Sequence, residues 1–392
     1  MITSPLSIYI HIPFCNHRCA YCDFNTYAGV TDLIPAYIDA LNCEIGQLSD
    51  GVEKRSPKTL FFGGGTPSLV SAASYEKIFS QLGIIFDLSE LSEISLEVNP
   101  GTVSKGYFND LKSIGFNRVS LGVQSSNSRF LKFLERIHDY QDVKSGVEQI
   151  RKSGIENINL DLIYSLPGQT LSDWEVDLKK NLELQTPHLS LYSLGIETGT
   201  PLAIWYSKGL IEWQNDDLAA DQYELAEAIL DESGFRHYEI SNWAKEGHVC
   251  QHNLAYWRND DYLGLGAGAH GHFNGTRYSV IPGLRSYIKA AQKNGPSESG
   301  HFPITSANKE FTHLSPKESL QDALMVGLRL LNEGVNLDNL SKRYKIDVLT
   351  LYKKEIEKLL KDDLIDIENG RMRLTRRARF ISNQVFSVFV GD

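Results

Sequence analysis

The sequence lacks the features of several large protein classes. No uninterrupted apolar run approaches the roughly 18 residues that a membrane-spanning helix needs. Cysteine is scarce, with five in 392 residues, and this number does not suggest a disulfide framework. Basic residues (39) are fewer than acidic ones (49), which argues against a chain whose main task is nucleic-acid binding. Because the first residues also lack the basic and apolar regions of a signal peptide, we expect a cytoplasmic protein.

The composition is that of a globular protein, with 42% hydrophobic and 22% charged residues. Short apolar runs ending in polar or glycine-rich turns alternate with longer amphipathic stretches, which predicts βαβ units and a parallel sheet. The predicted strands are residues 7–12, 59–62, 93–98, 118–123, 157–163 and 188–194. The predicted helices are residues 32–48, 71–86, 104–114, 141–153, 171–184 and 216–233. This α/β repetition favours an incomplete (βα)6 barrel over a doubly wound sheet.

The pattern changes after this region. Residues 235–277 are rich in aromatics and glycine and are predicted to be irregular, and residues 295–316 to form a linker or external loop. Two helices, 320–331 and 347–360, and a hairpin with an Asn369-Gly370 turn then predict a winged-helix-like domain. We therefore divide the chain at 1–234, 235–300 and 301–392. Residues 301–392 include a run of arginines that could contact phosphates or form a solvated charged surface. These residues are Arg371, Arg373, Arg376, Arg377 and Arg379.

Cys15, Cys19 and Cys22 form a Cys-x-x-x-Cys-x-x-Cys motif directly after the first predicted strand. Three thiolates on one loop can hold three irons of an iron–sulfur cluster and leave the fourth iron open for a ligand. Two alternatives remain at this point: a zinc site completed by His11 or His17, or three cysteines in a core.

Polar or glycine residues follow each predicted strand in turn. In parallel barrels the carboxyl ends of the strands form the active site, so we expect these residues to share one mouth, although each alone could be a helix cap or loop residue. Arg136 could reach the carboxylate of a ligand. The residues at the strand ends are the Gly63–Gly65 run with Thr66, Glu97 with Asn99, Gln124, Asp161, and Tyr192 with Ser193.

The segment from Tyr9 to Cys15, the cysteine motif and the Gly-Gly-Gly-Thr-Pro loop resemble the radical S-adenosylmethionine (radical SAM) superfamily, in the branch of oxygen-independent coproporphyrinogen III oxidase. The resemblance implies a [4Fe–4S] cluster on the three cysteines. Its open iron would chelate S-adenosylmethionine, which electron transfer would cleave to methionine and a 5′-deoxyadenosyl radical. The implied cofactor-binding residues are Gly64, Gly65 and Thr66 at the methionine moiety, Glu97 at the ribose, Tyr9 and Tyr21 beside the cluster, and Gln124, Arg136 and Asp161 at the mouth.

Within this branch the sequence resembles haem chaperones more than oxidases. Phe24 stands where the oxidases carry a further cysteine, and only six residues precede the first predicted strand, whereas the oxidases carry a long N-terminal extension. The resemblance implies haem as cargo, and haem-recipient proteins and an electron donor as partners. The acidic net charge leads us to expect no stable nucleic-acid binding. An oxidase that decarboxylates coproporphyrinogen III and a nucleic-acid-modifying radical enzyme are the alternatives. Cofactor cleavage, catalytic residues, membrane association and oligomeric state remain open.

Residues 252–257 match the His-Asn-x-x-Tyr-Trp motif of these chaperones. A neutral His252 could ligate haem iron while Tyr256 and Trp257 cover the porphyrin face. Cys250 and His270 are further candidate ligands. The alternative is a structural histidine in an aromatic core.

Overall fold

The computed structural model describes residues 4–49, 55–213, 215–293 and 302–390. The strands are β1 Leu6–Ile12, β2 Phe14–Cys15, β3 Tyr27–Ala28, β4 Pro57–Gly64, β5 Glu93–Val98, β6 Arg118–Gln124, β7 Asn157–Tyr164, β8 His188–Ser193, β9 Arg236–Glu239, β10 Asn242–Ala244, β11 Asp261–Leu265, β12 His270–Phe273, β13 Thr276–Val280, β14 Asn308–His313, β15 Val335–Asn336, β16 Ile365–Glu368 and β17 Arg371–Leu374. The helices are α1 Ile34–Gly46, α2 Ala72–Ile85, α3 Tyr107–Ile114, α4 Ser128–Phe133, α5 Tyr140–Lys152, α6 Leu171–Leu182, α7 Pro201–Ser207, α8 Asp216–Glu232, α9 Gln251–Trp257, α10 Leu284–Ala291, α11 Pro316–Gly327, α12 Leu337–Tyr344, α13 Val348–Leu351, α14 Lys353–Lys361 and α15 Ser382–Val388.

One large sheet organises the chain, with the strand order β14-β13-β12-β11-β1-β4-β5-β6-β7-β8-β10-β9. Neighbouring strands from β11 through β1 and β4 to β8 are parallel. Antiparallel strands extend both edges, and β14 and β9 do not pair with each other. The predicted incomplete α/β barrel is therefore confirmed.

The first six predicted strands occur as β1 and β4–β8, with bounds that differ by at most two residues from those predicted. Parallel strands covered on both faces read as continuous apolar runs, and β6 is buried at every position except its last. Capping boxes begin three of the helices: Asp139 at α5, Thr170 at α6 and Ser315 at α11.

Two predictions of irregular structure are wrong. Residues 235–277 contain β9, β10, α9, β11 and β12, and β11 pairs with β1 as a seventh parallel strand. Residues 308–313 of the predicted external loop form the edge strand β14, while residues 294–301 lie outside the described part. Glycine is needed in β11 because a Cβ at Gly264 would lie 1.9 Å from the His270 carbonyl oxygen.

The C-terminal part has its own apolar core, built by α11–α15 and a three-stranded sheet of order β15-β17-β16. The predicted hairpin is confirmed, since Asn369 (φ 52°) and Gly370 (φ 72°) both adopt the left-handed conformation of a tight hairpin turn. No helix in the described ranges is long and apolar enough to cross a membrane.

Four of the five arginines of this part bind protein groups, while Arg377 is exposed, as the interpretation of a solvated charged surface predicts. Arg371 and Arg373 donate to the backbone carbonyls of Glu333 and Asn332. Arg376 and Arg379 both bind Glu227 on α8 of the barrel. Arg376 and Arg379 therefore help to hold the C-terminal domain against the barrel, whereas Arg371 and Arg373 bind residues of their own domain.

Candidate functional site

The cysteine motif begins in β2 and continues into the loop between the short strands β2 and β3, which pair with each other. β2 pairs in parallel with β3, so Cys15 lies beside Ala28, and the Cys22 amide donates to the Cys19 carbonyl at 3.2 Å. Cys15 is buried, while Cys19 and Cys22 are half-buried. All three cysteines line one cavity of about 410 Å³ at the carboxyl ends of the parallel strands. We call this space the cluster cavity.

Hydrogen-bond donors lie beside the sulfurs. Thr66 Oγ1 donates to Cys15 Sγ and Arg136 Nη1 to Cys19 Sγ, both at 3.6 Å. Donors of this kind stabilise the negative charge of thiolate-bound iron–sulfur clusters. In contrast, both ring nitrogens of His11 are engaged, by the Tyr9 hydroxyl at 2.9 Å and the Asn25 carbonyl at 3.0 Å. His11 is thus not free to complete a zinc site, whereas His17, the other candidate, lines the cluster cavity with its Nε2 atom 3.5 Å from Glu135 Oε2. The three thiols, with donors beside two of their sulfurs, are a donor set that fits an iron–sulfur cluster.

The glycine-rich loop lies directly against the cysteine loop. The Gly65 and Thr66 amides donate to the carbonyls of Ile12 and Phe14. A Cβ at Gly65 would lie 2.6 Å from the Phe14 carbonyl oxygen and 3.0 Å from Cys15 Sγ, so only glycine permits this approach. Gly64 and Gly65 line the cluster cavity, whereas Thr66 faces a smaller neighbouring pocket.

Two half-buried carboxylates, Glu97 and Asp161, line the cluster cavity. Glu97 accepts the Gly64 amide at 2.9 Å. Burial, and then the charge of Asp161, raises the pKa of Glu97 to about 7. Burial also raises the pKa of Asp161, which accepts hydrogen bonds from Ser120 at 2.8 Å and Asn159 at 2.9 Å. Both carboxylates are therefore held in place by strand residues rather than by solvent.

Arg136 lines the cluster cavity, but its Nη atoms are directed at protein acceptors. Glu135 (φ 55°) turns the chain back after α4. Arg136 Nη2 then donates to Asn99 Oδ1 at 2.6 Å and to the Gly122 carbonyl at 2.7 Å. Since Nη1 donates to Cys19, only Nε lacks a partner among the described residues. The structure thus places the Arg136 guanidinium beside the Cys19 thiol. The sequence had instead suggested that this side chain binds the carboxylate of a ligand.

Gln124 and Tyr21 complete the predicted set at the cluster cavity. Gln124 has φ 66°, and the β6–β7 pairing shifts register between Gly122 and Gln124. Such a bulge re-aims a side chain at the end of a strand. Thr66 and Tyr9 are the exceptions, because Thr66 lines the smaller neighbouring pocket and Tyr9 lines a second cavity on the other side of the cysteine loop.

This second cavity, of about 430 Å³, contains three of the candidate haem residues: Tyr256, Trp257 and His270. Tyr9 and Phe24 also line it, and we call it the aromatic cavity. Phe24 is 61% exposed and lines the cluster cavity as well. The two cavities therefore share the cysteine loop as a wall.

The structure does not bring His252 and Cys250 into the lining of the aromatic cavity. His252 is 1% exposed, and its ring nitrogens lie 2.7 Å from Thr59 Oγ1 and 2.9 Å from the Tyr256 hydroxyl. Cys250 is fully buried, and its thiol donates to Glu93. Burial raises the pKa of Cys250 to about 12.

Sequence reasoning missed several residues in the wall of the aromatic cavity. The signal was present, since His270-Gly271-His272 alternates with the period of a strand, but the region was predicted to be irregular. The missed residues are Asn25, Tyr262, His272 and Arg277.

Comparison with known proteins agrees with this geometry. Residues 9–180 match the family model of the radical SAM superfamily, and residues 314–381 match that of the HemN C-terminal domain. The chain is 37% identical to the heme chaperone HemW of Lactococcus lactis, over 100% of this chain and 99% of the relative. It is 34% identical to the heme chaperone HemW of Bacillus subtilis, over 98% and 99% of the two chains.

Among solved structures, coproporphyrinogen III oxidase (HemN) from Escherichia coli, described as a radical SAM enzyme, has the same fold. The TM-score is 0.83 at 23% identity, and the match covers 99% of this chain and 90% of that one. At this identity the likeness concerns the fold alone. Because the curated relatives match over nearly the full length of both chains, this chain belongs to the HemW family of the radical SAM superfamily.

Proposed function

We propose that this protein is a cytoplasmic haem chaperone that holds a [4Fe–4S] cluster and S-adenosylmethionine in the cluster cavity and delivers haem to recipient proteins. One observation carries the proposal. The three thiols of the cysteine motif, the glycine-rich loop and Glu97 converge on a single cavity in a chain whose full-length relatives are named heme chaperones.

Each part of the cluster cavity has a role in this proposal. Cys15, Cys19 and Cys22 hold the cluster, which supplies an electron for S-adenosylmethionine cleavage when both are bound. Gly64 and Gly65 let the backbone approach the methionine moiety closely. Glu97 accepts from the ribose hydroxyls, and it is already oriented by the Gly64 amide.

The chaperone function is favoured over the oxidase alternative by Phe24 and by the names of the relatives. Phe24 replaces a cysteine of the oxidase pattern and lies exposed between the two cavities. An electron donor for the cluster and haem-recipient proteins are the partners that this function requires.

The test compares two cysteine variants of the full-length protein after anaerobic cluster reconstitution. Cys19→Ala should lose iron, sulfide and the brown colour. Cys43→Ala removes an exposed thiol of α1 outside the motif and should keep them. Equal iron in both variants would refute the cluster assignment.

A second assay separates chaperone from oxidase. Haem-loaded protein is mixed with a haem-free b-type cytochrome, and in parallel the reduced protein is given coproporphyrinogen III and S-adenosylmethionine. We expect haem transfer and no decarboxylation. Decarboxylation without haem transfer would replace the chaperone function by that of the oxidase.

A further inference from the structure

We propose that the aromatic cavity is the haem site and that His270 provides the iron ligand; this inference rests on the proposed function and specifies where the cargo is held. The cavity is lined by five aromatic side chains besides its histidines: Tyr9 on β1, Phe24 from the cysteine loop, Tyr256 and Trp257 at the end of α9, and Tyr262 on β11. A flat apolar macrocycle is the ligand that such a lining fits.

The hydrogen bonds of His252 assign it a positioning role. Thr59 donates its own hydroxyl proton to Ser7 Oγ at 2.9 Å, so Thr59 Oγ1 accepts from His252 Nδ1–H. Nε2 is then the acceptor of the Tyr256 O–H. Both ring nitrogens are thus committed in the folded chain, and His252 fixes the Tyr256 ring at the cavity instead of meeting the iron.

His270 has the opposite environment. Its side chain is exposed, lines the aromatic cavity and makes no hydrogen bond within the part of the chain that the structure describes. His272, two residues further along β12, lies on the same face of the strand. His272 is 5% exposed and also lines the aromatic cavity. β12 therefore presents an accessible imidazole and a second, buried imidazole to the same cavity.

The remaining polar groups suit the edges of a haem. Arg277, on the neighbouring strand β13, lines the cavity and is 49% exposed. It pairs with Asp322 at 2.5 Å through Nη2, and its other N–H groups can bind a propionate carboxylate. Trp257 carries the guanidinium of Arg329 over its ring at 4.4 Å, which holds this ring in position.

The haem site would be tied to the cysteine loop. Asn25 follows Phe24 and donates to the carbonyls of Ala267 at 2.9 Å and Pro282 at 3.0 Å. Ala267 precedes the first residue of β12 by three positions, so the loop that carries Cys22 is bonded to the segment that carries His270. Haem in the aromatic cavity should therefore alter the environment of the cluster.

The test is an anaerobic titration of the cluster-reconstituted, full-length protein with haem, followed by the Soret band and by electron paramagnetic resonance. Three proteins are compared: wild type, His270→Gly, and His313→Gly as a matched control. His313 is also exposed and lies on edge strand β14, outside the lining of the cavity. Iron content and circular dichroism verify that each variant is folded. His270→Gly is titrated again in the presence of imidazole, which can replace the missing ligand.

We expect one haem per wild-type chain, affinity reduced by roughly tenfold or more in His270→Gly, restoration by imidazole, and no change in His313→Gly. Unchanged affinity in His270→Gly, or a loss that imidazole does not reverse, would overturn the ligand assignment while leaving the proposed function intact. Absence of saturable haem binding in the wild type would instead overturn the proposed function itself.

Discussion

Glu227 is the acidic centre of the contact between the barrel and the C-terminal domain, and replacing it with glutamine tests that contact. Its side chain is 10% exposed. It accepts from Arg376 at 3.1 Å, from His237 at 3.1 Å, and from Arg379. The His237 ring is itself fixed by stacking on Trp243, with ring centroids 3.9 Å apart. Glu227→Gln keeps the shape of the side chain, removes its charge and replaces one acceptor oxygen by an amide donor.

The expected loss of stability in Glu227→Gln can be calculated from the pKa of Glu227. Burial alone would raise this pKa, but the hydrogen bond from His237 and the charge of Arg379 outweigh it and hold the pKa at about 2. Relative to the usual value of 4.5, this corresponds to about 3 kcal/mol. Because the Arg376 side chain is 64% exposed, solvent screening reduces our expected loss of stability to about 2 kcal/mol.

The pH dependence gives an independent check. A depressed carboxylate pKa contributes stability that is complete above the unfolded value and is lost as the pH falls towards the folded value. The difference in free energy of unfolding between wild type and Glu227→Gln should therefore be constant near pH 7 and shrink below about pH 4.5.

The assay is urea unfolding followed by tryptophan fluorescence, together with amide hydrogen exchange in residues 316–390. Glu224→Gln, an exposed position on the same helix, is the control and should be neutral. Equal stability of wild type and Glu227→Gln at pH 7 would refute the reasoning. So would a difference that does not change between pH 7 and pH 3.

Three further changes probe the site and its support. Glu97→Gln should weaken S-adenosylmethionine binding without loss of iron. Because Glu97 has a pKa of about 7, the affinity of the wild type for S-adenosylmethionine should rise with pH through this value. The same pH profile in the variant would contradict the role of Glu97 at the ribose. Arg136→Met removes a positive charge and the hydrogen bond to Cys19 Sγ, so the cluster reduction potential should fall by about 60 mV, measured by redox titration with Arg136→Lys as the control that keeps the charge. Glu93→Ala removes a buried counter-charge of Arg118 and should cost about 3 kcal/mol in urea unfolding, whereas a loss below about 1 kcal/mol would show that this charge is compensated elsewhere.

The parallel strands could be predicted because each one carries its own signal. An apolar run, a polar end and an amphipathic helix recur in every repeat, and the predicted strand at 93–98 coincides with β5, Glu93–Val98. β11 carries no such signal. It is five residues long, includes a glycine, and pairs with β1 about 255 residues earlier in the chain. Its strand conformation depends on that distant partner, which no local pattern reveals.

In the candidate site, too, some features could be predicted from local sequence and others depend on the packing of distant residues. The topology of a parallel sheet alone brings the ends of β4–β7 to one mouth, so Glu97, Gln124 and Asp161 could be placed there from their positions on the strands. Which cavity a side chain faces depends on packing. His252 and Trp257 belong to one short motif, yet one is enclosed by hydrogen bonds and the other lines the aromatic cavity.

The pairing of β1 with β11 also has a consequence for synthesis on the ribosome. β1 leaves the ribosome early, but its neighbour β11 is translated about 255 residues later, a delay of roughly 13 to 50 s at ordinary elongation rates. During this interval one edge of β1 is unpaired, and unpaired strand edges promote aggregation. The Asn25 bonds to residues 267 and 282 also cannot form until those residues have been translated. The cysteine loop should therefore reach its final conformation, and become able to hold the proposed cluster stably, only after most of the chain has been made.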